Sequence, residues 1–192
     1  MQVLRARDYR RMPWKNGGGE TREVLASPIG ARLDAIDWRI SLATIASNGP
    51  FSVFNGIERT LCVIRGEGIQ LQVGDASPAL LRPNTAPFTF DGEAPASAAL
   101  VDGAIVDLNV MTRRARFRHS VTRRKVEGCV QLRISTDTIV FCERGTLRCN
   151  ANETSSDLEP EDCAVIAAGS SPLQLSVAEP ATILIIEILS AR

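Results

Sequence analysis

The spacing of short alternating segments constrains the fold of this chain most strongly. Hydrophobic and polar residues alternate in runs of strand length, and glycine, proline, asparagine and aspartate interrupt these runs roughly every eight to twelve residues. Because successive side chains of a strand point to opposite faces, such runs predict half-buried β-strands. Many short strands at this spacing are typical of a sandwich or barrel. The sequence therefore predicts an all-β fold, with one helical turn expected in residues 6–11.

Two of the predicted strands carry polar residues on a face that would otherwise be apolar. Asp107, Asn109 and Met111 share one face of their strand, and Arg39 and Ser41 form a similar pattern on another. One interpretation is that these five residues line a ligand pocket. The alternative is that they form the solvent-facing side of a half-exposed sheet, which is the more common meaning of alternation. The residues alone leave both interpretations open.

The chain contains a weak internal repeat of about 80 residues. Each half has a glycine-marked turn, at residues 66–68 and at Gly145, that we expect to close a β-hairpin, and each turn is followed by a proline-marked turn and an apolar strand. Charge density rises abruptly in residues 112–125. The sequence therefore predicts two stacked small β-barrels, in residues 1–114 and 115–192, with an N-terminal arm that can swap into the second barrel.

Composition argues against several classes of function. The 22 basic and 22 acidic residues cancel. The basic segment near residue 120 has no interleaved aromatic residue apart from Phe117 and no recognition helix, so we expect no nucleic-acid partner. No apolar run approaches the roughly 20 residues of a membrane span, and the N-terminus does not resemble a signal peptide. The five cysteines are predicted to be reduced thiols. We therefore expect a cytoplasmic protein without a membrane partner.

Residues 51–66, FSVFNGIERTLCVIRG, resemble the first motif of a cupin barrel. In that motif two histidines and a glutamate bind a metal ion, and a fourth ligand comes from a second motif. Here the corresponding positions hold Ser52, Phe54, Arg59 and Phe88. These side chains lack the imidazole, thiolate or carboxylate donors that a divalent transition metal requires. The resemblance therefore implies a bicupin, a chain of two cupin barrels, and the residues predict no metal and no cofactor.

Arg59 is the strongest candidate for a ligand-binding residue. If the cupin register holds, its side chain points into the barrel, because it occupies the position of a metal ligand. A buried guanidinium is costly unless an anion meets it, and its planar fork suits a carboxylate. An internal ion pair with Asp107 is an equally weighted alternative, and the two roles are compatible.

Several further motifs resemble the HutD/Ves family, in the right order along residues 1–114. They are MPWKNGGGET (12–21), WRIS (38–41), GPFS (49–52), GIERTL (56–61), PFTF (87–90) and DLNVMTRR (107–114). The family consists of bicupins that are encoded near histidine-utilisation genes or, in Ves, associated with cold and stress response. The resemblance implies a protein that binds a small anionic metabolite and modulates histidine utilisation. The implied ligand is a carboxylate such as an N-formyl- or formimino-glutamate-like compound.

The first of these motifs supplies further candidates for ligand binding. Trp14, Lys15 and Asn16 precede three glycines, whose backbone N–H groups can approach and donate to an anion. We expect these residues to reach over the barrel mouth, although a plain turn before the first strand is the alternative. Arg113 belongs to the last motif and is expected to border the same mouth.

We expect the protein to bind its ligand without catalysis. The alternatives are a cofactor-independent hydrolase or isomerase of an N-acylated amino acid and a stress-related interaction protein. The enzyme would need a general acid or base, for which Asp107, Lys15 and Glu20 are available. A homodimer is expected by analogy with cupins, which often pair sheet edges, although no sequence feature requires one.

Overall fold

The computed structural model describes residues 1–14, 18–151 and 154–191, and the predicted all-β fold is confirmed. The described part of the chain contains nineteen strands and a single 3₁₀ turn, Ala6–Asp8, which lies within the predicted helical turn. The strands of the first 113 residues are β1 (Gln2–Leu4), β2 (Arg10–Pro13), β3 (Gly19–Ser27), β4 (Trp38–Ile45), β5 (Gly49–Pro50), β6 (Ile57–Arg65), β7 (Ile69–Val73), β8 (Ala79–Leu81), β9 (Phe88–Asp91), β10 (Ala96–Leu100) and β11 (Ile105–Arg113). They are followed by β12 (Phe117–Val126), β13 (Cys129–Leu132), β14 (Asp137–Arg144), β15 (Leu147–Ala151), β16 (Thr154–Leu158), β17 (Cys163–Ile166), β18 (Leu173–Ser176) and β19 (Ala181–Ser190).

The chain divides into two compact units. The N-terminal unit consists of Arg10–Arg118 together with the residues from Ser190. The C-terminal unit consists of Met1–Tyr9 and His119–Leu189. In the described residues, no helix has the length and apolar character needed to cross a bilayer.

The N-terminal unit is a cupin-type sandwich of two antiparallel sheets. Its six-stranded sheet has the order β2-β3-β4-β11-β6-β9, and its four-stranded sheet has the order β5-β10-β7-β8. The core draws on strands of both sheets and includes Ile45, Leu61, Val63, Ile69, Leu71, Leu81, Phe90, Ala96, Ala98 and Ile105. Burial of these alternating apolar positions stabilises the unit, since each large side chain contributes about 1.5–3 kcal/mol.

The C-terminal unit repeats this arrangement, with one sheet in the order β1-β17-β14-β19-β12 and another in the order β13-β18-β15-β16. Its core is apolar and includes Val140, Cys142, Leu147, Leu175 and Ile183. The N-terminal arm belongs to this unit because β1 pairs with β17. Asp162 holds the end of the arm, accepting hydrogen bonds from the Arg5 guanidinium at 2.7 Å and from the Ala6 backbone N–H at 2.8 Å.

The expected hairpin around residues 66–68 is wrong. β6 and β7 lie in different sheets, so the turn carries the chain from one sheet to the other. Both glycines of this turn have positive φ angles, 91° for Gly66 and 113° for Gly68. A Cβ atom on Gly66 would lie 2.7 Å from the Ala104 carbonyl oxygen, so the turn requires glycine there. Gly145 makes the corresponding crossing between β14 and β15, so no hairpin forms there either.

Candidate functional site

The central strands of the six-stranded sheet bring three polar side chains into the interior of the N-terminal unit. Arg59 lies on β6, and Asn109 and Asp107 lie on β11; we call these residues the Arg59 cluster. Asn109 is opposite Leu61 in the strand register, and Asp107 is opposite Val63. Because Leu61 and Val63 belong to the core, this face of the sheet points inward.

A chain of hydrogen bonds joins the three residues. Arg59 Nη2 donates to Asn109 Oδ1 at 2.8 Å, and Asn109 Nδ2 donates to Asp107 Oδ1 at 2.8 Å. Asn109 therefore lies between a buried positive charge and a buried negative charge and connects them. The ion pair between Arg59 and Asp107 that the sequence offers as an alternative is therefore indirect, because the side-chain amide of Asn109 bridges the two charges.

Two polar atoms of the cluster have no hydrogen-bond partner among the described residues. They are Arg59 Nε and Asp107 Oδ2. Arg59 is only 5% exposed and Asp107 is fully buried. A buried donor or acceptor left unpaired costs about 1–3 kcal/mol, so each such atom requires an explanation such as water or a ligand. The cluster therefore offers a guest one donor and one acceptor.

Three aromatic rings surround the Arg59 guanidinium. Its central carbon lies 5.1 Å from the ring centroid of Phe51, 5.4 Å from that of Phe54 and 5.2 Å from that of Phe90. Cations are attracted to aromatic faces at such distances, and the rings also exclude water. Arg59 Nη1 donates to the Ser52 carbonyl oxygen at 3.4 Å, beyond the usual range for a strong hydrogen bond. Residues 51–54 therefore cover the guanidinium mainly through two phenyl rings, and their one hydrogen bond to it is weak.

The sequence predicts that Phe51, Phe54, Phe88 and Phe90 line the pocket or belong to the core, and it leaves open which of the four do which. Phe90 lies opposite Arg59 on β9, whereas the predicted Phe88 lies opposite Leu61 and is half-buried. Phe90 could therefore be identified as a site residue only from the pairing register of β6 with β9. The alternation of residues within a single strand does not reveal that register. The signal for Phe51 is its proximity to Ser52 and Phe54 in the cupin-like motif.

The buried environment changes the acid–base behaviour of the cluster. Burial raises the pKa of Asp107 to about 7, although the nearby Arg59 charge, the Ala43 backbone and the Asn109 side chain act in the opposite direction. Burial also lowers the pKa of Arg59, but a guanidinium stays protonated in proteins. Asp107 therefore exchanges a proton near neutral pH while Arg59 keeps its charge.

Three other predicted residues lie beside the cluster on the same sheet. Ser41 is buried opposite Asn109, and Met111 is buried between Arg39 on β4 and Arg59 on β6. Arg39 has its own carboxylate partner, because its Nε donates to Glu23 Oε2 at 2.7 Å. These residues border the Arg59 cluster, and Arg39 is already charge-compensated.

The structure gives other predicted residues different contacts. Arg113 donates to the backbone carbonyl oxygens of Asp34 at 2.8 Å and Ile36 at 2.9 Å, so its guanidinium holds a loop. Trp14 Nε1 donates to Thr21 Oγ1 at 2.8 Å, and the ring packs on the core. Ser52 is exposed, and its backbone rather than its hydroxyl contacts Arg59. Lys15 and Asn16 lie outside the described residues.

The donor set does not fit a metal ion. Two of the four cupin ligand positions hold phenylalanine, one holds the exposed Ser52, and one holds the permanently charged Arg59. Within the described ranges, no three His, Cys, Asp or Glu side chains come together as a metal-ligand group. A guanidinium at the centre of the site repels a cation and attracts an anion.

Two surface depressions lie away from the Arg59 cluster. One, of about 370 Å³, is lined by Gly49, Gln72 and Ser97 among others. The other, of about 560 Å³, includes Arg148 and Asp157, which are paired with each other at 2.7 Å. Neither depression is lined by a buried unpaired charge among its described residues. The Arg59 cluster is therefore the stronger candidate for a binding site.

The fold is that of a bicupin, and the interior of its first unit holds the Arg59 cluster. A cupin 2 conserved barrel domain protein from Leptotrichia buccalis shares the fold, with a TM-score of 0.58 at 13% identity over 88% of both chains. The family model HutD matches residues 6–185. The chain therefore belongs to the HutD family, as its motifs predict.

Individual relatives cover most of the chain. An uncharacterised 21.2 kDa protein in the hutC 3′ region of Pseudomonas putida is 40% identical over 73% of this chain and 72% of its own length. Protein Ves of Cronobacter sakazakii is 36% identical over 90% and 92% of the two chains. The structure of HutD from Pseudomonas fluorescens SBW25, in a formate condition, has a TM-score of 0.84 at 30% identity over 100% of this chain and 99% of that one.

Proposed function

We propose that this protein is a non-catalytic binding protein that receives a small carboxylate metabolite at the Arg59 cluster and modulates histidine utilisation. The ligand we propose is an N-formyl- or formimino-glutamate-like compound. One observation carries the proposal: Arg59 is buried and positively charged, and its Nε has no partner among the described residues. A carboxylate supplies both the missing acceptor and a negative charge.

Entry of a ligand requires the cover of the site to move. Phe51 and Phe54 are half-buried, and they flank the exposed Ser52 and Val53. Of the two hydrogen bonds that the guanidinium makes to described residues, the one to the Ser52 carbonyl is the longer, at 3.4 Å. In our proposal a ligand oxygen replaces this carbonyl as the acceptor, and the two phenyl rings then close over the ligand. The exchange is favourable because a charged acceptor binds a guanidinium more strongly than a neutral one.

The choice of pathway rests on the relatives. One is named for its position beside hutC, and another is a HutD whose structure is described for a formate condition. We also propose that the protein acts in the cytoplasm, since its five cysteines are free and such thiols persist in reducing compartments.

Titration calorimetry with N-formyl-L-glutamate, N-formimino-L-glutamate and free L-glutamate tests the proposal. We expect the acylated compounds to bind and to raise the melting temperature. Arg59→Lys keeps the charge but loses the planar fork, so we expect affinity to fall at least about tenfold. The matched control is Arg123→Lys, which alters a half-buried arginine paired with Glu143 at 2.7 Å in the other unit. Equal affinities for the wild type and Arg59→Lys would remove Arg59 from the site.

A second candidate function is that of a cofactor-independent hydrolase or isomerase acting on an N-acylated amino acid. The observation that favours it is the pKa of Asp107, which burial raises to about 7, in the range that suits a general acid or base. Chromatographic detection of glutamate released from the acylated compounds tests hydrolysis, and detection of a rearranged isomer tests isomerisation. Turnover that Asp107→Asn abolishes would establish the enzyme, whereas binding without turnover supports the binding protein.

A further inference from the structure

We propose that an anion binding at Arg59 is taken up together with one proton, which Asp107 accepts at the oxygen that has no hydrogen-bond partner. This inference rests on the proposed function, because it needs a ligand at Arg59. It adds a regulatory property, since the affinity for the ligand then depends on pH. No covalent bond of the ligand changes, and the solvent supplies the proton.

The first step of the argument is the charge of the cluster. Arg59 and ionised Asp107 cancel, and Asn109 connects them through two hydrogen bonds of 2.8 Å. An anion beside Arg59 changes the local sum from zero to one negative charge. An uncompensated charge is strongly disfavoured in a desolvated interior, so a proton that restores neutrality stabilises the complex.

The second step is that neighbouring elements offer no other compensation. On the same sheet face, β3 and β4 contribute Glu23 and Arg39, which already pair with each other at 2.7 Å. Arg10 on the edge strand β2 is exposed to solvent. The facing sheet contributes the apolar side chains Ile69, Leu71, Leu81, Ala96 and Ala98. Within the described part of the unit, Asp107 is therefore the group placed to change its charge.

The third step is the proton site. Asp107 Oδ1 accepts from Asn109, whereas Asp107 Oδ2 is buried and has no partner among the described residues. Oδ2 can therefore take a proton without breaking an existing hydrogen bond. Burial already raises the pKa of this carboxyl to about 7, and the Arg59 charge is the largest of the effects that oppose this rise. An anion that neutralises Arg59 removes this lowering effect, so the pKa of Asp107 rises further on binding.

Calorimetry in buffers of different ionisation enthalpy measures the proton directly. With N-formyl-L-glutamate as the probe, HEPES and Tris at pH 8 should give different heats, corresponding to uptake of about one proton per ligand. At pH 6, where Asp107 is mostly protonated before binding, the uptake should be close to zero. Between pH 8 and pH 9 the affinity should fall about tenfold, because binding takes up one proton and the proton concentration falls tenfold over that range.

The outcomes distinguish this inference from the proposed function. Binding with identical heats in both buffers at pH 8 would overturn the proton uptake and leave the binding function intact. Absence of binding at every pH would overturn both. Asp107→Asn should abolish the buffer dependence, and proton uptake that persists in this variant would contradict the assignment to Asp107. If the variant does not fold, the calorimetry of the wild type in the two buffers still shows whether a proton is taken up on binding.

Discussion

The two units of this molecule have matching strand arrangements but different interiors. Gly66 follows β6 and Gly145 follows β14, and in each unit the preceding strand pairs antiparallel with the final long strand, β11 or β19. Aligning the two glycine turns places Arg59 at the position of Thr138 in the C-terminal unit. By the strand registers, Asn109 then corresponds to Ile185 and Asp107 to Ile183.

This difference separates what the fold needs from what a site needs. The C-terminal unit fills the corresponding interior positions with isoleucines, and its core cluster is apolar. The architecture therefore does not require a buried arginine or aspartate. Burying such a pair often costs more than packing apolar residues of similar size. The fold therefore does not account for the polar interior of the N-terminal unit, and four variants test our proposal that it serves ligand binding.

The largest effect is expected from Ile183→Asp, which places a carboxylate in the C-terminal unit without an arginine to offset it. We expect a loss of about 5 kcal/mol in the free energy of unfolding, the range typical of a buried unpaired charge. Urea unfolding followed by circular dichroism measures it. The control Ile183→Val should cost only about 1 kcal/mol. A small cost for the aspartate would mean that this interior is wetter than the structure indicates.

Arg59→Ala removes a buried charge from the N-terminal unit, whereas Ile183→Asp adds one to the C-terminal unit. Removal of the guanidinium leaves Asp107 buried without its counter-charge, so we expect a loss of about 3–5 kcal/mol. Both tryptophans, Trp14 and Trp38, lie in this unit, so their fluorescence during urea unfolding reports the change there. Thr138→Ala at the matching position should cost only about 1 kcal/mol. Similar losses for the two variants would contradict the comparison.

The triple variant Arg59→Leu, Asn109→Ile and Asp107→Ile gives the N-terminal unit an interior like that of its counterpart. We expect stability between unchanged and about 4 kcal/mol higher, because apolar packing replaces buried charges. Tryptophan fluorescence during urea unfolding again measures it. The rise in melting temperature caused by N-formyl-L-glutamate should disappear in this variant. Strong destabilisation would show instead that the cluster is structural.

Asp107 also contributes a pH dependence to the stability of the N-terminal unit. Its pKa is about 7 in the folded protein and near its ordinary value of 3.8 when unfolded. Its stabilising contribution is therefore complete below about pH 4 and is lost as the pH rises to about 7. Melting curves of the wild type and Asp107→Asn between pH 4 and pH 8 isolate this contribution, because other groups such as His119 are common to both. The wild type should lose stability relative to the variant as the pH rises, and a constant difference would contradict the raised pKa.

Much of the fold follows from period-2 alternation, but its limits are visible at particular residues. The pattern predicts that Asp107, Asn109 and Met111 share a face, and the cupin register predicts that Arg59 points inward; the structure agrees on both orientations. Whether any of them contacts a ligand remains a prediction. The prediction of a hairpin at residues 66–68 was wrong because alternation along a strand does not reveal which sheet the strand joins.

The finer contacts of the site depend on information that no single strand contains. The Asn109 bridge depends on side-chain rotamers, and the ring of Phe90 reaches Arg59 through the register of β9. Arg113 was predicted at the mouth from its motif, yet the backbone carbonyls of Asp34 and Ile36 hold its guanidinium. The loop that presents these carbonyls is set by tertiary packing, which spacing along the chain does not reveal.

The measurement that tests the central claim most directly is the ¹⁵N–¹H signal of Arg59 Nε, assigned by its loss in Arg59→Lys. This N–H is the buried donor without a partner in the described structure, so an incoming carboxylate must change its environment. We predict that titration with N-formyl-L-glutamate shifts the signal saturably, while the Nε signal of Arg123 in the other unit stays in place. A ligand that binds the protein and leaves the Arg59 signal unmoved would contradict the account.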